Sequence, residues 1–301
     1  MKSSLDHLPQ RKQRELERVV EILHEEFEDA LKGSTAEWKK KGRILKIILF
    51  GSYARGTWVD EPHTMKGYRS DYDVLVVVNN RKLTDPEYWY KAEDRFIRDK
   101  AVRPEVSFIV HSRREVNAAL REGQFFFSDI RREGIVLYEL DEEPLAEPKA
   151  LSPKDRLRVA KAHFEGRHSS ALKFLEMARL ALERGWNNNA AFQLHQSVEQ
   201  VYSTFLLVLT NYDPATHNIK FLRSLAEDHD RRLADAWPRD ERRFAAWFNT
   251  LKEAYVKARY SPHYEISEEA LQWLGERTAE LCALVETVCR EHLEALEGAA
   301  E

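Results

Sequence analysis

Apolar residues at Val19, Val20, Ile22, Leu23, Phe27 and Leu31 recur at helical spacing and stop at Gly33, which predicts an opening amphipathic helix. The pattern then changes period. ILKIILF (44–50) and YDVLVVV (72–78) are unbroken runs of branched apolar residues, the writing of buried strands. A helix is predicted over PEYWYKAEDRFIRD (86–99), a strand over EVSFIVH (105–111), and a helix over SRREVNAALREG (112–123), where Ser112 and Glu115 have capping-box spacing. GIVLYEL, from Gly134, closes this part as a further strand. DEEPLAEPKALSP (141–153) holds three prolines among acidic and small residues and reads as a linker. Beyond it strand signals vanish, and helical periodicity runs through 154–184, 188–210, 217–228, 239–259 and 267–296. The expected architecture is α+β: a small mixed-sheet domain over 1–140, a linker over 141–153, and an all-α helical bundle over 154–301.

With 301 residues and 43% hydrophobic content, the chain can fill a core in each half. Its two cysteines, Cys282 and Cys289, lie in one helical pattern and suggest neither a disulfide framework nor a zinc site. The N-terminal stretch lacks the apolar core of a signal peptide and no run is long enough to span a membrane, so a cytoplasmic protein without a membrane partner is expected. A formal net charge of −4 gives no global attraction to nucleic acid; RNA stays open as a partner that charge does not indicate.

Candidate chemistry begins where ILF drops into GSYARG, residues 51–56. A tight strand-to-helix junction lets backbone approach a ligand closely at Gly51. The amides of Ser52 and Tyr53, the Ser52 hydroxyl and the positive end of the following helix could hold a triphosphate tail, with Arg55 as a further phosphate ligand. Downstream, Asp71 and Asp73 are two residues apart at the mouth of a strand and share a face. Glu105 opens a later strand; if that strand neighbours the one bearing Asp73, a third carboxylate reaches the same place. Three acids there could hold two divalent cations ~3.5–4 Å apart, the arrangement for displacement at phosphorus.

These residues resemble the nucleotidyltransferases of the DNA polymerase β type, in particular the minimal members: an apolar strand, Gly51-Ser52, a spacer, Asp71-x-Asp73 entering a strand, and a third acid, Glu105. Ala54, Arg55 and Gly56 are also usual in the minimal members. The resemblance implies that Gly51 and Ser52 hold the triphosphate, that Asp71 and Asp73 bind two Mg2+ ions, and that Glu105 completes the metal site and helps activate the attacking hydroxyl. It implies an enzyme that transfers a nucleoside monophosphate from a nucleoside triphosphate, with ATP the expected donor, to a hydroxyl on a protein, an RNA or a small molecule, releasing pyrophosphate. The spacer from Ser52 to Asp71 is longer than in the compact members, and its extra residues 59–68 are expected to form a loop over the site.

The second half resembles a HEPN domain, the nucleotide-binding helical bundle often fused to such transferases, on the stretches 187–222 and 254–267. Ribonuclease members carry an arginine followed a few residues later by a histidine. Here Arg259 and His263 stand closer together, and Pro262 disfavours helix at Ser261. His217, Arg259 and Tyr260 could grip phosphate and stack a base, or bond between helices. His195 and Glu199, four apart on one helical face, could pair or point into the interdomain cleft, but read first as a surface or boundary pair. Trp237, Trp247 and Trp273 read as core and interface anchors rather than a base-stacking platform. Leu206, Leu207, Leu209 and Trp273 fit either the bundle core or a homodimer seam. Two alternatives stay open beside the enzyme: a nucleotide-binding sensor without turnover, and a toxin–antitoxin fusion whose bundle is a ribonuclease.

Overall fold

The computed structural model describes residues 1–60, 69–214 and 216–300; most of the loop expected over the site, 61–68, lies outside the described residues. Two compact units emerge, residues 1–60 with 69–150, and residues 151–300.

In the first unit α1 (Gln10–Leu31) is followed by a short turn of helix, α2 (Glu37–Lys40), and then by β1 (Ile44–Phe50) and α3 (Gly51–Arg55). The chain continues through β2 (Tyr72–Val78), α4 (Tyr90–Arg98), β3 (Val106–Ser112), α5 (Arg113–Arg121), α6 (Phe125–Glu133) and β4 (Ile135–Glu139). The strands form one mixed sheet in the order β3-β2-β1-β4; β1 runs antiparallel to β2 and β4, and β2 runs parallel to β3. The helix expected over 86–99 divides into a 3-10 turn at Pro86–Tyr88 and α4, because Asp85 caps the proline-led turn before the longer helix starts. The capping box of Ser112 and Glu115 starts α5.

Residues of β1 and β2 are buried on both faces. One face carries Ile47, Leu49, Tyr72, Val74 and Val76 against Leu16, Val19, Leu23 and Phe27 of α1 and Phe96 of α4. The opposite face carries Ile48, Phe50, Leu75 and Val77; Phe50 meets Phe126 of α6 edge to face at 5.4 Å. Each such buried side chain contributes roughly 1.5–3 kcal/mol relative to exposure, which fixes the strand register and hence what stands at the strand ends.

The second unit is helical: α7 (Pro153–Glu183), α8 (Asn187–Thr210), α9 (Ile219–His229), α10 (Arg242–Tyr260) and α11 (Glu268–Ala300), with a 3-10 segment at Arg231–Ala236. Every residue of α8 from Val201 to Val208 is buried, so Leu206 and Leu207 fill the bundle core. Trp237 is buried as well, its indole N–H donating to the Tyr202 hydroxyl at 2.8 Å. Among the described residues no helix is long and apolar enough to cross a membrane.

Candidate active site

The register of the sheet assembles the predicted residues at one end of β1, β2 and β3. Phe50, the last residue of β1, lies across from Asp73, and Asp73 lies beside Ser107 of β3. Residues paired across neighbouring strands point to the same face, so Asp73 looks out on the α6 side, just below the point where β1 turns into α3. One step earlier the Tyr72 amide donates to the Glu105 carbonyl at 2.8 Å, which places Asp71 and Glu105 side by side before their strands begin. Asp73 is 2% exposed, Asp71 is half-buried and Glu105 is exposed.

The Gly-Ser bend is tight. Phe50 is fully extended and Gly51 then turns to φ +70°, a left-handed conformation that costs other residues about 1–2 kcal/mol. Ser52, Tyr53 and Ala54 follow as a single helical turn that stops at Gly56, also left-handed, with the Thr57 amide returning to the Ser52 carbonyl at 3.0 Å. The amides opening such a turn have no intrahelical acceptor and are available to an anion. With five residues α3 is too short for a helix dipole to add much, so the expected contribution of its positive end reduces to those amides and the Ser52 hydroxyl. Ser52 is buried and Arg55 is exposed. Tyr53 turns its ring away from the bend into the core, 0% exposed and stacked on Trp58 at 5.4 Å, which leaves its amide as the group that faces a ligand.

The donor set, two aspartates on one face with a glutamate beside them, is made of hard oxygens and suits magnesium. Among the described residues, no three His, Cys, Asp or Glu side chains gather closely enough to hold a metal ion, so the carboxylates share an edge of the sheet without closing on one point.

The sequence reading missed residues that support this edge from beneath. Lys12 and Glu15 of α1 are 5% and 3% exposed, and the Tyr72 hydroxyl donates to Glu15 at 2.8 Å. Burial holds the Lys12 ammonium below its usual pKa, against the neighbouring Glu15 and Asp60, and pushes the Tyr72 phenol up. Their signal was available: two charged residues fall on the helical stripe that continues through Leu16, Val19 and Leu23.

In the second unit His195 and Glu199 are not a surface pair; they are 0% and 7% exposed. His195 Nε2–H donates to the His217 carbonyl at 3.1 Å, and His217 Nδ1 meets Glu199 at 3.0 Å. Burial drives the His195 pKa down to about 4 and raises that of Glu199. The His217 ring stacks on Tyr255 at 3.8 Å, and the Arg259 guanidinium lies over the Tyr255 ring at 4.5 Å and over Tyr260 at 4.9 Å. Helix α10 ends at Tyr260 and Ser261 is extended with ψ 122°, the conformation Pro262 imposes, so His263 stands beyond the helix that carries Arg259.

Comparison with known proteins agrees with this division. A family model described as a nucleotidyltransferase domain matches residues 31–132, and one described as a HEPN domain matches residues 165–288. The chain therefore carries a nucleotidyltransferase domain followed by a HEPN domain. Over 52 residues it is 50% identical to a protein of Methanocaldococcus jannaschii that bears a provisional protein-adenylyltransferase name. That stretch is 17% of this chain and 39% of the relative, so the chain spans well under half of the relative's length.

Proposed function

We propose that the first unit is a magnesium-dependent nucleotidyltransferase of the two-metal, polymerase β type. It moves a nucleoside monophosphate from a nucleoside triphosphate, ATP for preference, to a hydroxyl acceptor and releases pyrophosphate. The observation that carries this reading is the register of β1, β2 and β3, which sets Asp73, Asp71 and Glu105 along the strand ends beside the left-handed Gly51 bend. The transferase function belongs to residues 1–140, with 141–153 as linker and 154–301 as the HEPN-like bundle.

In this reading the amides of Gly51, Ser52 and Tyr53 and the Ser52 hydroxyl orient the triphosphate, with Arg55 at its outer end. Asp71 and Asp73 would hold the metal, and Glu105 would join them and take up the acceptor proton. Magnesium held there would supply neutralisation of the phosphate charge. The protein's own share is positioning, since holding donor and acceptor in line replaces a bimolecular encounter by an effectively unimolecular step. The relative's name favours a protein hydroxyl as acceptor and adenylate as the group moved.

The test is intact-mass analysis of this protein and of candidate protein, RNA and small-molecule acceptors after incubation with each triphosphate and magnesium. A gain of one nucleotide's mass identifies donor and acceptor together. No gain on any acceptor, with nucleotide still bound in calorimetry, favours instead a sensor without turnover, a reading that the stack of His217, Tyr255 and Arg259 supports as a second nucleotide-binding surface.

A further inference from the structure

The matched nucleotidyltransferase segment begins at residue 31, yet His7, Lys12 and Glu15 from before it reach under the transfer site. His7 Nε2–H donates to the Tyr53 carbonyl at 2.8 Å; since a carbonyl can only accept, this nitrogen carries the proton. Glu15 accepts the Tyr72 hydroxyl through one oxygen at 2.8 Å and Arg11 through the other at 2.9 Å. Lys12 lies between them. Its ammonium is 3.6 Å from Glu15 and 3.7 Å from Asp60, and it stands 5.3 Å from the Tyr53 ring, 5.7 Å from Trp58 and 5.6 Å from Tyr72. The rings of Tyr53 and Tyr72 themselves meet at 4.4 Å.

The rings bear on the site through their places in the chain. Tyr53 follows Ser52 in the bend that would hold phosphate. Tyr72 sits between Asp71 and Asp73, its ring on the opposite face from Asp73. A cation near both rings, and held in turn by two carboxylates, therefore adds a side-chain tie between the bend and the aspartate strand, beside the ladder pairing of Phe50 with Asp73. A buried lysine is costly unless it is paired in this way, and an apolar residue would fill the same space without that cost. Cation–π attraction strengthens when the ammonium is removed from water, as it is here.

We propose that Lys12, held by Glu15, is a positioning residue of the transfer site, tying the Gly51–Ser52 bend to the Asp71–Asp73 strand through Tyr53 and Tyr72. The inference rests on the transferase reading and extends it to a segment outside the matched domain.

The test compares Lys12→Met with Lys39→Met in the full chain. Lys39 is the control: it also lies over two rings, Trp38 at 5.4 Å and Tyr88 at 4.9 Å, but its side chain is more exposed than that of Lys12 and it pairs with Glu87. Both variants are assayed well below their melting temperatures, with the fold checked by circular dichroism. Lys12→Met lowers kcat about ten- to hundredfold with KM for ATP changed by less than about threefold, while Lys39→Met stays within about twofold of wild type. Lys12→Met activity within about twofold of wild type overturns the proposal. A second readout does not depend on turnover: amide exchange at residues 51–54 and 72–73 quickens in Lys12→Met and not in Lys39→Met. Unchanged exchange there overturns the tie itself. If the wild-type protein transfers no nucleotide, the transferase reading fails, and the exchange measurement still decides whether Lys12 joins the two segments.

Discussion

Phe50 and Asp73 face each other across the antiparallel ladder of β1 and β2. Because Phe50 is the last residue of its strand and packs against Phe126, the register that seats its ring also delivers the aspartate to the edge where Gly51 turns. A slip by one residue would send Asp73 into the face covered by α1 and abolish the site.

Asp71→Asn and Asp73→Asn are each expected to reduce nucleotide transfer by at least about a hundredfold while leaving the circular dichroism spectrum unchanged. Glu105 is exposed before β3, so a smaller share is expected of it, and Glu105→Gln is expected to lose about tenfold. Initial rates with labelled triphosphate at saturating magnesium rank the three. Equal losses at Glu105 and Asp73 would show the glutamate to be a full member of the metal site.

Gly51 sits at φ +70°, so Gly51→Ala costs about 1–2 kcal/mol of stability by backbone strain. It also moves the amides at 51–53, and KM for the triphosphate is expected to rise about tenfold. Urea unfolding reads the first effect and steady-state kinetics the second.

Strand and bend were legible because each has a local cause. The runs 44–50 and 72–78 are unbroken apolar segments, and a glycine after such a run announces a turn. Helix α6 escaped notice because it opens with Phe125–Phe127, three consecutive aromatics that mask any helical period. The burial of His195 and Glu199 was hidden for a related reason: Gln193, Gln196 and Gln200 stand at neighbouring, partly exposed positions of α8, so two buried polar residues do not stand out among them. The helical stripe gives the burial of Lys12 and Glu15, but their contacts with Tyr53 and Tyr72, 41 and 57 residues away along the chain, are carried by no local pattern.

Stability should depend on His195. Its pKa in the folded protein lies below its ordinary value of 6.5, at about 4, because burial disfavours the charged ring. The unfolded chain therefore takes up this proton first. The contribution is complete above pH 6.5 and is lost as pH falls toward 4, amounting to about 2 kcal/mol by pH 5. Glu199, whose pKa burial raises, acts in the opposite sense as it gains a proton, and His217 and Arg259 face the same cluster. Comparison with His195→Asn isolates the histidine: wild type is expected to lose more melting temperature than the variant between pH 7 and pH 5. Parallel losses would contradict the assignment.

Glu227, 1% exposed, accepts both Arg223 and Arg239 inside the second unit. Glu227→Gln leaves two guanidinium groups beside a neutral amide and is expected to cost about 3–5 kcal/mol by urea unfolding. A loss under about 1 kcal/mol would mean that water or neighbouring carbonyls satisfy those arginines instead.

The most direct test of the transferase account is pyrophosphate release from ATP and magnesium, followed alongside the mass of the acceptor, for wild type and for Asp73→Asn at equal concentration. The account predicts release in step with nucleotide addition for wild type and neither for the variant. Release and addition that persist in Asp73→Asn would contradict it.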